Sequence, residues 1–268
     1  MNKVKTLILR TAGTNCDKET AHAFSQAGSE VTFLHINELI KERKYFQDHQ
    51  ILALPGGFTY GDDIASGKIL ANELRNALQD EIVEFVKSGK LVIGICNGFQ
   101  ILVKMGLLPN VAGKDMGDVE ATLARNNSGK FEDRWIHLSK VVTKKDICVW
   151  TKGLPEVIFI PVAHGEGKFI PCDKSVLEAL WKAGQVVFQY SDENGEAVDY
   201  PDNPNGSVDR IAGVCDPTGR ILGLMPHPER HVSYLQHPFW QRLDKSDSSL
   251  GVGLQIFKNG VSYVKRSL

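Results

Sequence analysis

Apolar residues fall along this chain in two rhythms. Short unbroken runs, Val4 to Leu9, Val31 to Leu34, Ile51 to Leu54 and Leu91 to Ile95, read as strands buried on both faces. Between them the spacing turns helical. Residues 17–27 place Ala21, Phe24 and Ala27 on one face, and Gly28 is a stop. Residues 68–88 read as a long amphipathic helix ended by Gly89, and a further helix runs from about Gly98 to Lys104. The order is β-α-β-β-α-β-α. Such alternation predicts an α/β fold, a mostly parallel sheet with helices on both faces. Its ligand site should lie at the carboxyl ends of the strands.

The second half carries shorter pieces. Ile136 to Val142 and Val157 to Val162 are strand-like within residues 119–161. Residues 192–209 are polar and rich in Asn, Pro and Gly, hence loop. Ile211 to Val214 and Ile221 to Met225 flank Asp216-Pro217-Thr218-Gly219, which reads as a hairpin turn. A terminal helix is expected from about Ser248 to Lys258. With no repeat, low-complexity tract or linker, residues 1–268 are expected to form a single domain.

Composition narrows the class. The 268 residues carry a formal net charge of −1, so no global electrostatic argument favours nucleic acid or an anionic membrane. No apolar run approaches the roughly 20 residues of a membrane span. The N-terminal stretch has no signal-peptide character. Five scattered cysteines form no C-x-x-C pair, so neither a disulfide framework nor a metal site is expected. A reducing cytoplasm is the natural setting. Cys148, Cys172 and Cys215 read as packing residues.

Three segments carry candidate chemistry. Gly94-Ile95-Cys96-Asn97-Gly98 sits between a strand and a helix, the nucleophile-elbow pattern with Cys as nucleophile. The nucleophile occupies a strained turn, and side chains two residues either side would collide with neighbouring elements. The helix N-terminus favours negative charge, and the Asn97 amide points where an oxyanion would form. The plain alternative is a buried structural Cys. The second segment is Pro226-His227-Pro228-Glu229. Two prolines should hold it extended, and on an extended segment His227 and Glu229 point the same way, as base and orienting carboxylate. Alone, a surface loop with two solvated polar residues would be the favoured reading. The third is Pro55-Gly56-Gly57-Phe58 after a strand, where the Gly57 amide can serve as second oxyanion donor. Alone, it is no more than a turn.

Together these segments resemble the class I (triad) glutamine amidotransferases. The likeness extends to Asn15-Cys16-Asp17, to Thr59 through Asp62 after the glycines, and to Phe99-Gln100 after the elbow. It continues through Pro161-Val162-Ala163-His164-Gly165-Glu166-Gly167, Asn203-Pro204-Asn205-Gly206-Ser207 and Gly223-Leu224-Met225-Pro226-His227-Pro228-Glu229-Arg230. These point to the branch of the family that serves amidation of formylglycinamide ribonucleotide in purine synthesis. The resemblance implies a flavodoxin-like fold. It implies that Cys96 attacks glutamine to form a glutamyl thioester, with His227 as base and acid and Glu229 orienting it. Gly57 and Asn97 would form the oxyanion hole. Gly56, Phe58 and Gln100 would lie at the glutamine pocket, and His164 and Glu166 there or at the partner interface. It also implies partners: a synthetase subunit that consumes the ammonia with ATP and Mg, and a further small subunit. No cofactor is expected in this chain, which has neither G-x-x-x-x-G-K-[ST] nor a helix-opening G-x-G-x-x-G.

Two departures stand out. After Gly61-Asp62 the family pattern of Tyr-Leu and an Arg gives way to Asp63-Ile64-Ala65-Ser66. Residues 170–200 and those after 231 read as extra sequence beyond compact members. The alternatives are a Cys hydrolase or an amidotransferase for another acceptor, a noncatalytic subunit on the same fold, and a redox sensor. The last needs a resolving thiol near Cys96, for which Cys16 is the candidate close to a strand end.

Overall fold

In the computed structural model, which describes residues 3–111, 117–143, 145–243 and 250–268, each apolar run becomes a strand. These are β1 (Lys5–Arg10), β2 (Glu30–His35), β3 (Ile51–Leu54) and β4 (Leu91–Ile95). Every residue of β3 and β4 is buried, as central strands of a covered sheet require. The helices α1 (Asp17–Gln26), α4 (Lys68–Lys87) and α5 (Asn97–Lys104) fall where the spacing puts them. Two short helices, α2 (Ile36–Lys41) and α3 (Tyr45–Asp48), lie unanticipated between β2 and β3. They are too brief to leave a helical period.

The second half adds β5 (Ala121–Ala124), β6 (Glu132–Lys140), β7 (Val157–His164), β8 (Lys168–Pro171), α6 (Lys174–Ala183) and β9 (Val186–Ser191). The hairpin β10 (Ile211–Cys215) and β11 (Ile221–Leu224) follows, then α7 (Leu254–Ser267). The terminal helix therefore begins later than expected and runs further; Ser248 lies outside the described residues. The hairpin turn is held by Asp216, whose carboxylate accepts from the Thr218, Arg220 and Ile221 amides. The helix α6 was missed within 170–200, although its signals are present: Asp173 caps it by accepting from the Val176 amide, and Gly184 ends it at φ +75°. Cys148 and Cys215 are buried as packing residues, but Cys172 is exposed at the end of β8, where the strand meets the surface turn into α6.

Nine strands form one sheet in the order β2-β1-β3-β4-β11-β10-β9-β6-β7, and β5 pairs with β8 separately. The first five are mutually parallel, and β10, β9, β6 and β7 continue antiparallel. From β1 the chain steps outward to β2, whereas from β3 it steps the other way to β4. Right-handed crossovers therefore place α1 and α4 on opposite faces. In keeping with this, α1 packs on α7, with the Phe24 and Phe257 rings edge to face at 5.0 Å, while α4 packs on α5. Along the sheet, β7 is four strands from β11, yet the Pro161 carbonyl of β7 accepts from the His227 amide at 2.8 Å. At about 4.8 Å per strand a flat sheet would forbid this, so the antiparallel arm curls back over the strand ends. Among the described residues no helix is long and apolar enough to cross a membrane.

Candidate active site

Because β3, β4 and β11 are parallel neighbours, the residues that follow them emerge at one edge. β3 delivers Gly56 and Gly57, β4 delivers Cys96, and β11 delivers His227. β1 is parallel to β3, so the loop after it brings Cys16 to the same edge. The curled arm adds Ala163 and His164 from the end of β7.

Cys96 sits at the elbow with φ 52° and ψ −107°, a strained conformation for a non-glycine residue. Its amide donates to the Leu224 carbonyl at 2.8 Å, and its own carbonyl accepts from the Gln100 amide at 3.1 Å. These bonds from β11 and α5 hold the turn. The flanking glycines are obligatory. A Cβ at Gly98 would stand 1.9 Å from the Leu54 carbonyl oxygen, and one at Gly94 would stand 2.6 Å from that of Gly98. Cys96 Sγ lies 3.5 Å from the Ala163 carbonyl oxygen.

Glu229 Oε1 sits 2.7 Å from His227 Nδ1, and both residues are buried. The reason for the pairing differs from the sequence expectation. The segment is not extended: Pro228–Arg230 forms a 3₁₀ turn, with Pro228 opening it. The turn swings the carboxylate back onto the imidazole. Burial alone would push His227 down, but Glu229 and the thiols of Cys96 and Cys16 more than offset it and hold the imidazole well above its ordinary range. Nε2 is buried and makes no well-aligned hydrogen bond, although both thiols interact with the ring. Bond geometry to Glu229 thus fixes which nitrogen faces the sulfurs.

Gly56 occupies the centre. A Cβ there would stand 2.8 Å from His227 Cε1, 3.2 Å from Cys16 Sγ and 3.4 Å from Cys96 Cβ. Gly57, at φ +146°, would place a Cβ 2.7 Å from the Gly13 carbonyl oxygen. Phe58 is exposed on the rim, its ring 6.0 Å from that of Phe131. Asn97 opens α5 with its side chain fully engaged. Oδ1 accepts from Thr59 Oγ1 at 2.8 Å, and Nδ2 donates to Asp62 Oδ1 at 3.1 Å and Gln100 Oε1 at 3.0 Å. Gln100 Nε2 donates to the Glu166 carbonyl, and the Glu166 carboxylate accepts from the Ser66 amide at 3.1 Å. Gln100 and Glu166 therefore brace the elbow helix against the loop between β7 and β8.

His164 is buried, with Nδ1 3.2 Å from Asn126 Oδ1 and Nε2 unpartnered. Burial, then the neighbouring charge of His227, lowers it to about 3, so it is neutral at physiological pH. Behind it, Asn205 donates to the hydroxyl of buried Tyr190 at 3.0 Å. Sequence reasoning assigned no role to Tyr190, Asn126 or Asp62; only the curled arm and the tight turn at Thr59–Asp62 after β3 make them neighbours of the site. Arg230 Nη2 donates to Cys16 Sγ at 3.1 Å. The donor atoms of Cys16, His227 and Glu229 lie within 4.8 Å of one another, but the Arg230 guanidinium against that sulfur opposes a cation.

The arrangement can deprotonate a thiol and hold the resulting imidazolium. Comparison with known proteins agrees with it. Residues 3–264 match the family described as CobB/CobQ-like glutamine amidotransferase domain. The chain is 48% identical to phosphoribosylformylglycinamidine synthase subunit PurQ of Dehalococcoides mccartyi, over 99% of this chain and 100% of that protein. It is 43% identical to the PurQ subunit of Methanococcus maripaludis, over 98% of each. A chain in the structure of PurLQS from Thermotoga maritima superposes with a TM-score of 0.72 at 30% identity, covering 98% of this chain and 100% of that one. Residues 170–200 and those after 231 are thus not extra relative to these PurQ proteins, which run to the same length.

Proposed function

Since the chain belongs to the CobB/CobQ-like glutamine amidotransferase family, we infer that it is the glutaminase subunit of phosphoribosylformylglycinamidine synthase. Full-length identity of 43–48% to two PurQ subunits supports this. The observation that carries the chemistry is the buried His227–Glu229 pair beside the strained Cys96.

Our mechanism assigns each group one task. His227 takes the Cys96 proton, and the sulfur attacks the side-chain carbonyl carbon of glutamine. The oxyanion is met by the Gly57 and Asn97 amides. His227 returns the proton to the departing nitrogen, and ammonia leaves a glutamyl thioester on Cys96. Water, deprotonated by the same imidazole, then releases glutamate. Glu229 holds the ring in the productive tautomer and stabilises its charge. Gly56 keeps the space between base and nucleophile open, and Phe58, Gln100, His164 and Glu166 surround the glutamine.

Ammonia released into water at neutral pH is protonated and lost as a nucleophile. A docked synthetase is therefore the natural acceptor, and the PurLQS assembly of T. maritima contains a chain of this fold. We place ATP and Mg in that synthetase, where formylglycinamide ribonucleotide becomes the formylglycinamidine, and a further small subunit beside it. Five free cysteines suit a reducing cytoplasm.

The test is ammonia and glutamate release by wild type and Cys96→Ala, with and without the synthetase. Release that needs Cys96 and rises with the synthetase is expected. Equal release by both proteins, or a glutamine-analogue label on a residue other than Cys96, overturns the assignment.

A further inference from the structure

One buried thiol at the site has no task in this mechanism. Cys16 is 1% exposed, and its sulfur accepts from Arg230 Nη2 at 3.1 Å while its own proton points to Asn15 Oδ1 at 3.3 Å. It faces Cys96 across Gly56. The missing Cβ of Gly56 would sit 2.8 Å from His227 Cε1, 3.2 Å from Cys16 Sγ and 3.4 Å from Cys96 Cβ, so both cysteines and the imidazole converge on the space that glycine leaves. The imidazole of His227 interacts with both sulfurs, and its buried Nε2 has no well-aligned partner of its own. Two thiols, one base and one guanidinium thus share a site that the proposed reaction uses only in part.

We propose that Cys16 and Cys96 form a reversible disulfide across Gly56 when the site meets a small hydroperoxide, with Cys16 as resolving thiol. Cys96 reacts first. His227 takes its proton, the sulfur attacks one oxygen of hydrogen peroxide, and the O–O bond breaks. Hydroxide leaves, takes the proton from His227 and becomes water, leaving a sulfenic acid on Cys96. Cys16 sulfur then attacks Cys96 sulfur. Its proton passes through His227 to the departing hydroxide, which leaves as a second water. Two thiols have lost two electrons and two protons to one peroxide. Arg230 stabilises negative charge on Cys16 during the attack. Burial keeps Cys16 a thiol at rest, which is why it resolves rather than initiates. A bond between these residues needs their Cβ atoms at about 3.5–4.5 Å, so the sulfurs must turn toward each other past the imidazole that borders the Gly56 space. The disulfide would block attack on glutamine, and a dithiol reductant would restore it; that consequence rests on Cys96 being the nucleophile.

The experiment treats the full chain with dilute hydrogen peroxide, alkylates remaining thiols and maps the peptides, while glutaminase activity with the synthetase is followed in parallel. Expected is a cross-linked peptide pair containing Cys16 and Cys96, with loss of activity, both reversed by dithiothreitol. In Cys16→Ser the same treatment should drive Cys96 to sulfinic acid, and activity should not return. The wild-type map needs no variant, so misfolding of Cys16→Ser cannot hide the result. Absence of the cross-link, with Cys96 over-oxidised at the same rate in both proteins, overturns the proposal. A cross-link that leaves activity intact preserves the disulfide and overturns the assignment of Cys96 as nucleophile.

Discussion

His227 Nδ1 and Glu229 Oε1 lie 2.7 Å apart with both residues 1% exposed, so the carboxylate has no solvent to share and its charge bears directly on the imidazole. Replacing it by an amide keeps the shape and removes the charge that supports the imidazolium. Glu229→Gln is expected to lower kcat for glutamine hydrolysis by about 10²-fold or more, with KM nearly unchanged. Steady-state kinetics check this. A raised KM at unchanged kcat would mean that Glu229 serves binding instead.

Two buried histidines should give the stability curve opposite slopes on either side of pH 6.5. His164 is held at about 3, below its unfolded value of 6.5. The unfolded chain therefore binds a proton first as pH falls, and stability is lost below 6.5 at up to ~1.4 kcal/mol per pH unit. His227 is raised, so its contribution is full below 6.5 and fades as pH rises toward its folded value. Urea unfolding at pH 5, 6.5 and 8 tests both limbs, pH values chosen as roughly spanning the window. His164→Gln should flatten the acid limb, worth about 2 kcal/mol between 6.5 and 5, and His227→Asn the alkaline limb. Unchanged slopes in the variants would reject the linkage.

Glycine at three positions separates steric folding from steric chemistry. At Gly98 a methyl meets the Leu54 backbone oxygen at 1.9 Å, which no rotamer relieves. Gly98→Ala is expected to cost roughly 2–4 kcal/mol in chemical denaturation. At Gly56 the nearest atoms belong to the side chains of His227, Cys16 and Cys96, which can yield. Gly56→Ala should fold with a loss of about 1–2 kcal/mol and yet lose activity by ~10²-fold, because the methyl parts base from nucleophile. At Gly129, where nothing lies within 4 Å of the added Cβ, alanine should leave activity untouched and cost only about 1 kcal/mol for its φ of +67°. Parallel unfolding and kinetic measurements on the three proteins would separate these cases.

The parallel half of the fold was legible because β3 and β4 are buried on both faces and so read as unbroken apolar runs bounded by glycine. The elbow was legible for a related reason, since Gly94 and Gly98 are the only residues that fit there. His227 and Glu229 were paired correctly from a wrong geometry: Pro228 starts a turn rather than extending the segment, and proline permits both. The curled arm was not legible. That Ala163 reaches Cys96 and His164 comes near His227 depends on sheet curvature, which strand composition does not encode. Nor did anything local reveal that Asp62 would turn inward, because a carboxylate among polar neighbours reads as a solvated loop.

Asp62 supplies the last prediction. Burial raises its carboxyl, yet three donors hold it: Ser66 Oγ at 2.9 Å, the Gly67 amide at 3.2 Å and Asn97 Nδ2 at 3.1 Å. Asn97 also carries an amide that we assign to the oxyanion hole, so the clamp on its side chain fixes that donor's direction. Asp62→Ala leaves three donors unsatisfied, and a stability loss of about 1–3 kcal/mol is expected. A purely structural residue would stop there. If the clamp aims the oxyanion donor, kcat should also fall by ~10-fold at a temperature where the variant is fully folded, equivalent to about 1.4 kcal/mol of transition-state stabilisation, with KM for glutamine little changed. Asp62→Asn keeps one acceptor oxygen toward Asn97 and should recover most of the rate but not the stability. A variant that loses stability yet retains full kcat would confine Asp62 to the fold and leave the Asn97 amide to be positioned by α5 alone.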